Sequence, residues 1–245
     1  MITASIVLFN ENLETLKKTV DSFLKTPLKK KLYLIDNSSD NSLKNHFKKA
    51  EVEYIFVGNN IGFGRAHNLV LDKISSQFHL ILNPDVIFSS EVIPNLIKAL
   101  ENNSEVSFVT PKVLYPTKEM QYVCRRHPTF FDLINRKLKI SKSQIIKNEY
   151  QDDNLEKSLY PDFIHGCFML FKTADFISLT GFDERYFLYM EDADICRKIK
   201  KTKKKILYFP NVEITHQHQK GSSKNIKLFL YHLSSALKYF TKWGF

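Results

Sequence analysis

The chain has 245 residues, 36 of them Lys or Arg and 26 Asp or Glu, for a formal net charge of +10. A hydrophobic share of 43% with 20 Phe and 11 Tyr is ample for a packed core, which excludes a disordered chain, and the length suits one domain with an extension. The charge is uneven: residues 1–120 hold 14 basic and 13 acidic side chains, whereas residues 121–245 hold 22 and 13.

Ile2–Phe9 is a short apolar, β-branched run that reads as a strand, ended by Asn10-Glu11-Asn12. Leu13, Leu16, Val20, Phe23 and Leu24 then recur at helical spacing over Leu13–Leu24. Leu32–Ile35 is a second strand, closed by Asp36-Asn37-Ser38-Ser39-Asp40, and Ser39–Lys49 is a weaker helix. Glu53–Val57 predicts a third strand, leading through a Gly58–Gly64 loop into a helix from Arg65 to Ser75. Phe78–Leu82 is a fourth strand, with Asn83-Pro84-Asp85 at its end. Strands and helices alternating at this spacing predict a parallel α/β sheet, whose ligands bind beyond the carboxyl ends of the strands. Asn10, Asp36, the glycine loop and Asp85 all fall there.

The second half is less regular. Residues 125–160 are polar and basic and read as an excursion with some helix. Phe163–Lys172 predicts a strand, Thr173–Leu179 a short helix, Gly181–Glu184 a turn and Met190–Lys201 a helix. Lys205–Phe209 and Val212–Thr215 read as two strands, and Ile226–Trp243 as a closing helix. Cys124, Cys167 and Cys196 are odd in number and form no CxxC pair, which fits a reducing compartment. The N-terminus lacks the basic region and apolar core of a signal peptide, and no apolar run approaches the ~20 residues of a membrane span. A cytoplasmic protein is expected, with a basic surface that can hold it against a membrane.

Several residue groups suit chemistry. A carboxylate at the mouth of a buried strand, Asp85, can hold a hard divalent cation that bridges diphosphate oxygens, although Asn83, Pro84 and Asp85 are also turn formers. Gly62-Phe63-Gly64 before a helix permits close approach of a phosphate or sugar, with Arg65 beside it, but is only half a dinucleotide fingerprint. Asp36 can accept from a base or ribose, or simply organise its own turn. Glu191, Asp192 and Asp194 crowd the start of one helix, where caps tolerate acids, yet three carboxylates so close repel unless something cationic or proton-accepting shares the site. One of them can serve as a general base. His216 and His218 alternate on an extended segment, so at most one readily completes a metal shell with Asp85. The Arg197–Lys205 run, seven basic residues in nine, is a solvated helix face or a membrane contact. Its aromatic neighbours lie in apolar elements, so nucleic acid is not an expected partner.

Together and in order, the segments IVLFNEN, LIDNSSDNS, NNIGFGRAHN, LILNPDV, TPKVLYP, HGCFMLFK, GFDERYFLYMEDADICRKIK and ITHQHQKGSS resemble the glycosyltransferase family 2 enzymes, especially their bacterial rhamnosyltransferase-like branch. The resemblance runs from the first strand to about Ser223 and skips mainly residues 125–160. It implies a GT-A fold: a Rossmann-like, mostly parallel α/β sheet flanked by helices, over residues 1–223, with 1–120 the nucleotide-sugar half, 121–223 the acceptor half and 224–245 a helical extension. It implies inverting transfer of a sugar, best matched by rhamnose from dTDP-rhamnose, to a glycan acceptor on a lipid carrier in surface polysaccharide synthesis. Galactofuranosyl or hexosyl transfer is the near alternative, and a non-catalytic basic binding protein the distant one. By resemblance, Asn10, Asp36, Asn60, Gly62, Arg65, Asn68, Asn83 and Asp85 line the donor. Asp85 and His216 hold Mg²⁺ or Mn²⁺, with Asn83 replacing the first acidic residue of the metal motif. Asp192 is the general base and Glu191 orients it or binds acceptor, while Cys167 is a packing residue.

Overall fold

A computed structural model describes residues 1–138, 140–217 and 226–244. Strand β1 (Ile2–Leu8) is buried along its whole length. It pairs in parallel with β2 (Lys30–Asp36) on one side and, across a long connection, with β4 (Phe78–Leu82) on the other; β3 (Val52–Phe56) closes that edge. Strands covered on both faces read as continuous apolar runs rather than alternating ones, which is why β1, β2 and β4 were visible in the sequence; β3, at the edge, is half-buried. Helix α1 (Leu13–Leu24) starts where Asn12 Oδ1 accepts the Thr15 amide at 3.1 Å, an N-cap bond, and buries Leu16, Val20 and Phe23.

The predicted helix over Ser39–Lys49 is a single 3₁₀ turn at Lys44–His46. The Asp40 carboxylate accepts the Ser42 amide at 3.0 Å, a local turn that competes with helix, and Phe47 alone is buried there. Helix α2 (Phe63–Asn68) is likewise shorter than expected, followed by a 3₁₀ turn at Leu71–Lys73. Beyond Asp85 come β5 (Val86–Ile87), α3 (Val92–Glu101) and β6 (Val106–Leu114), outside the elements read above.

The basic excursion is ordered into β7 (Cys124–Arg125), α4 (Phe130–Leu138) and α5 (Lys142–Asn148). The expected strand over Phe163–Lys172 is two: β8 (Phe163–Ile164), paired with β7, and β9 (Phe168–Lys172), broken at His165-Gly166-Cys167. Helices α6 (Thr173–Ser178) and α7 (Glu191–Lys201) follow. The two short strands expected near the C-terminus are one, β10 (Lys205–His216), whose register slips between Phe209 and Glu213. Helix α8 (Ile226–Trp243) closes the chain.

The eight-stranded sheet runs β3-β2-β1-β4-β9-β6-β10-β5. Its pairs are parallel except where β9 enters antiparallel between β4 and β6, and where β5 turns back on β10. That last pairing sets His216 opposite Val86, so the last strand ends beside the loop that leaves β4.

Candidate active site

Asp85 and His216 meet through that pairing. The Asn83 amide donates to the Cys167 carbonyl at 2.9 Å, the Gln217 amide donates to the Asp85 carbonyl at 3.1 Å, and Thr19 Oγ1 donates to the Pro84 carbonyl at 2.7 Å. The loop is thus fixed from three elements. His216 Nε2 lies 3.3 Å from Asp85 Oδ1 and 3.4 Å from Asn83 Nδ2. Its Nδ1 faces Gln121 Oε1 at 3.0 Å, and Gln121 Nε2 donates to the His216 carbonyl at 2.6 Å. With Nδ1–H donating to Gln121, a neutral imidazole turns its Nε2 lone pair toward Asp85, the orientation that metal ligation requires. Burial works against protonation of His216, but Cys167 and Asp85 outweigh it and raise its pKa to about 10. One carboxylate oxygen and one imidazole nitrogen suit Mg²⁺ or Mn²⁺ completed by diphosphate oxygens. Among the described residues no group of three His, Cys, Asp or Glu converges on a metal position. His218 lies outside the described residues. Gln121 was missed in the sequence because its stretch has no periodicity to place it.

The loops after β1, β2 and β3 form the neighbouring floor. Asn10 has a left-handed backbone, φ 55°, and its amide donates to Ser38 Oγ at 2.9 Å. Asp36 is buried: Oδ1 accepts the Ser38 amide at 2.9 Å and Oδ2 accepts the Tyr54 hydroxyl. Burial and that carboxylate push the Tyr54 phenol up. Asn60 Oδ1 accepts the Gly62 amide at 3.0 Å, and Asn37 Nδ2 donates to the Gly62 carbonyl at 3.1 Å. Gly62 has φ +95°, and a Cβ there would sit 2.5 Å from the Phe187 carbonyl oxygen. The Phe63 amide donates to that same oxygen at 3.0 Å. The glycine loop therefore packs directly on the segment that leads into α7.

Arg65 is exposed, 3.5 Å from Glu184. Asn68 is turned away from the floor: Nδ2 donates to the Phe182 carbonyl at 2.8 Å and Oδ1 accepts the Phe182 amide at 2.9 Å. Its amide holds the Gly181–Glu184 turn, which places it as a clamp rather than along a nucleotide. A further carboxylate, Glu11, was passed over in the sequence. Burial, with Asp85 and then Asp36 nearby, raises its pKa to about 7.

Tyr189 and Met190 are both left-handed, φ 69° and 70°, immediately before α7; such strain concentrates at functional sites. The three carboxylates that follow are all buried and differ in their partners. Asp192 Oδ2 accepts the Gly166 amide at 3.1 Å and Oδ1 accepts the Ala193 amide at 2.8 Å. Burial raises its pKa despite those two bonds. A Cβ at Gly166 would stand 3.3 Å from the Asp192 Cβ, tighter than most real contacts. Glu191 Oε2 is buried without a hydrogen-bond partner, and burial and Asp192 hold its pKa well above the carboxylate range.

Asp194 faces the C-terminal helix. Its Oδ1 accepts from Lys242 Nζ at 2.6 Å, Trp243 Nε1 at 2.7 Å and the Tyr186 hydroxyl at 3.2 Å. Lys242 is the cation that the clustered acids called for. The turn His165-Gly166-Cys167 joins the two centres: its middle amide holds Asp192, its last carbonyl holds Asn83, and the His165 and His216 rings lie 6.4 Å apart.

The mixed sheet, its site at the carboxyl ends of β1, β2 and β4, and the metal-type pair beside a buried carboxylate define a GT-A glycosyltransferase fold. Residues 3–176 match Glycosyl transferase family 2, and the chain belongs to that family. It is 28% identical over 225 residues to the rhamnosyltransferase WbbL of Escherichia coli K12, covering 86% of this chain and 82% of that protein. It is 25% identical over 203 residues to the N-acetylglucosaminyl-diphospho-decaprenol L-rhamnosyltransferase of Mycobacterium tuberculosis, covering 75% of this chain and 65% of that one. Among solved structures, GalNAc-T7 with UDP, GalNAc and Mn²⁺ superposes with TM-score 0.70 at 17% identity, over 90% of this chain and 43% of its own. The mannosyltransferase PcManGT of Pyrobaculum calidifontis, in complex with GDP-Man and Mn²⁺, gives 0.64 at 15% identity, over 97% and 64%. These two likenesses establish the fold.

Proposed function

We propose that the protein transfers a sugar, with inversion, from a nucleotide donor to a glycan acceptor on a lipid diphosphate carrier, and that the donor is dTDP-rhamnose. The observation that carries the reading is the short path from Asp192 through the Gly166 turn to the Asn83–Asp85 loop. It supports a proton acceptor working beside a diphosphate-binding centre. Asp192 takes the proton of an acceptor hydroxyl as that oxygen bonds to the anomeric carbon. The bond from that carbon to the diphosphate oxygen breaks, and its electron pair leaves on the nucleoside diphosphate. Asp85 and His216 would hold Mg²⁺ or Mn²⁺, which when bound stabilises charge on the departing diphosphate. Gly62 and Asn60 shape the donor loop, Asp36 and Asn10 the floor beneath a base or ribose, and Arg65 the outer wall. Glu191 orients the base or the acceptor.

The names of the two sequence relatives support rhamnose as the sugar, and that of the mycobacterial one supports a lipid diphosphate acceptor. No helix of the described residues is long and apolar enough to cross a membrane, so a lipid-linked acceptor would be met at the membrane surface. A panel of nucleotide sugars, with Mg²⁺ or Mn²⁺, scored by thermal shift and donor hydrolysis, tests the donor; preference for another sugar would overturn the rhamnose assignment. Asp85→Ala should abolish metal-dependent binding of the nucleoside diphosphate by calorimetry, and unchanged binding would move the metal centre elsewhere.

A further inference from the structure

The carboxyl ends of β2 and β3 bound one side of the site, and their register decides which side chains meet there. Leu34 pairs with Tyr54 and Asp36 with Phe56. Side chains alternate along a strand, and paired residues point to the same face of the sheet. Tyr54, Phe56 and Asp36 therefore share one face. Tyr54 stands level with Leu34, two residues or about 7 Å short of Asp36, yet its hydroxyl donates to the Asp36 carboxylate. The ring thus leans along β3 toward the carboxyl ends, where ligands of such sheets bind. The Val57 amide donates to the Asp36 carbonyl at 2.9 Å, which holds the two strand ends together.

The sequence singles out Asp36 as an acceptor for a base or ribose. In the fold it is 1% exposed, with Oδ1 bonded to the Ser38 amide and Oδ2 to the Tyr54 hydroxyl. A carboxylate can accept about four bonds, so these two do not exhaust it; burial is what closes it to a ligand. Tyr54 is only half-buried and Phe56 is 40% exposed, so the groups left open beside Asp36 are aromatic. A lone exposed phenylalanine is ordinary on a protein surface, but this one lies directly across from Asp36 and next but one to the phenol. Its ring is also seated, 3.5 Å from where a Gly58 Cβ would stand. Burial and the Asp36 carboxylate push the Tyr54 phenol up, so it keeps the proton that it donates. The phenol oxygen is then left with lone pairs alone and can only accept from a ligand.

We infer that Tyr54 and Phe56 read the nucleobase of the donor: Phe56 offers its ring face to the base, Tyr54 accepts a ring N–H, and Asp36 is a positioning residue that aims the phenol. Stacking on an aromatic ring tolerates every base, so Phe56 supplies affinity and Tyr54 supplies the choice. An oxygen that can only accept favours a base edge carrying an N–H, as N3 of thymine or uracil does. Cytosine turns an acceptor nitrogen to the same place, and two facing acceptors leave both unpaired, at a cost. The inference rests on the proposed nucleotide donor and deepens it by naming the groups that recognise its base.

The test is calorimetry of the full chain with dTDP, dCDP and N3-methyl-dTDP, each in the presence of Mg²⁺. The wild type should bind dTDP at least about tenfold more tightly than either of the others. Tyr54→Phe removes one oxygen and should bring the three affinities within about twofold of one another. Phe56→Ala should weaken all three by about fivefold or more and keep their ratio. Tyr54→Phe that weakens all three alike, with the preference for dTDP intact, would overturn the inference, because the phenol would then only support the fold. So would dTDP binding that is as tight or tighter in Tyr54→Phe with the preference intact, since Asp36 freed of the phenol would be the contact. N3-methyl-dTDP probes the unaltered protein, and equal wild-type affinity for it and for dTDP would overturn the inference whatever the variants do. The expected preference for dTDP without transfer from dTDP-rhamnose would overturn the proposed donor sugar alone; transfer from dTDP-rhamnose without that preference would overturn the Tyr54 assignment alone. Binding of none of the three would overturn both.

Discussion

Asp192 and Asp194 start the same helix two residues apart, and their partners separate them. Asp192 accepts two backbone amides, while Asp194 accepts from a lysine, an indole and a phenol. Asp192→Asn keeps the shape and removes the proton acceptor. It should lower kcat about 10²–10⁴-fold while calorimetric donor binding stays at its wild-type value; the melting temperature should fall, because the amide nitrogen faces one of the two backbone N–H donors. Because burial raises the pKa of Asp192 and the base must be ionised, the acidic limb of kcat/KM should lie above the ordinary aspartate range; a limb within that range would contradict the assignment. Asp194→Ala should act on stability instead. It leaves Trp243 Nε1 without its acceptor and Lys242 with Asp183 alone, at 2.8 Å, and a chemical denaturation curve should show a loss of about 3 kcal/mol, the scale for breaking a buried ion pair.

At the scale of elements, the glycine loop packs tightly on the lead-in to α7. Gly62 combines a left-handed φ with a carbonyl 2.5 Å from where a Cβ would stand, and that carbonyl belongs to backbone, which yields little. Gly62→Ala should cost about 1–3 kcal/mol of strain. It should also raise KM for donor and lower kcat together, because one displaced loop carries the proposed donor contacts and the other leads to the proposed base, Asp192. A variant with wild-type kinetics would show that the two loops move independently.

Across the whole molecule, a buried polar chain ties the first strand to its neighbours. Ser76 Oγ lies 2.6 Å from Thr3 Oγ1, which lies 2.8 Å from His79 Nδ1; His79 Nε2 lies 2.9 Å from Ser5 Oγ, which lies 2.8 Å from His67 Nδ1. These groups join β1, β4 and α2 inside the core, and the polar chain ends at His67, whose Nε2 is buried without a hydrogen-bond partner. Burial lowers the pKa of His79 to about 3 and that of His67 well below its ordinary value of 6.5. These two histidines therefore bind fewer protons in the folded protein than in the unfolded chain below about pH 6.5. Their contribution to stability should be complete above that value and fall on acidification toward pH 3, by about 1.4 kcal/mol per pH unit for each histidine. Urea midpoints from pH 7.5 to pH 4.5 measure the slope, and His79→Asn should start less stable but lose less. An equal slope in both proteins would remove His79 from the account.

The sequence by itself determined the elements whose signal is local. Four parallel strands showed as apolar runs, α1, α7 and α8 as stripes at helical spacing, and Asp36, Asp85 and Asp192 as carboxylates at strand ends and a helix start. Three decisions belonged to the tertiary structure, because each depends on partners far along the chain. Residues 39–49 are a turn and not a helix because a neighbouring carboxylate takes the amide that a helix would use. Gln121 joins the site only through β10, 95 residues on. The +10 charge resolves only in space: Lys200, Lys204 and Lys205 of its densest run pair with Asp162, Asp175 and Glu105. Composition counts charges, but what a charge does depends on which groups the fold brings within a few ångströms of it.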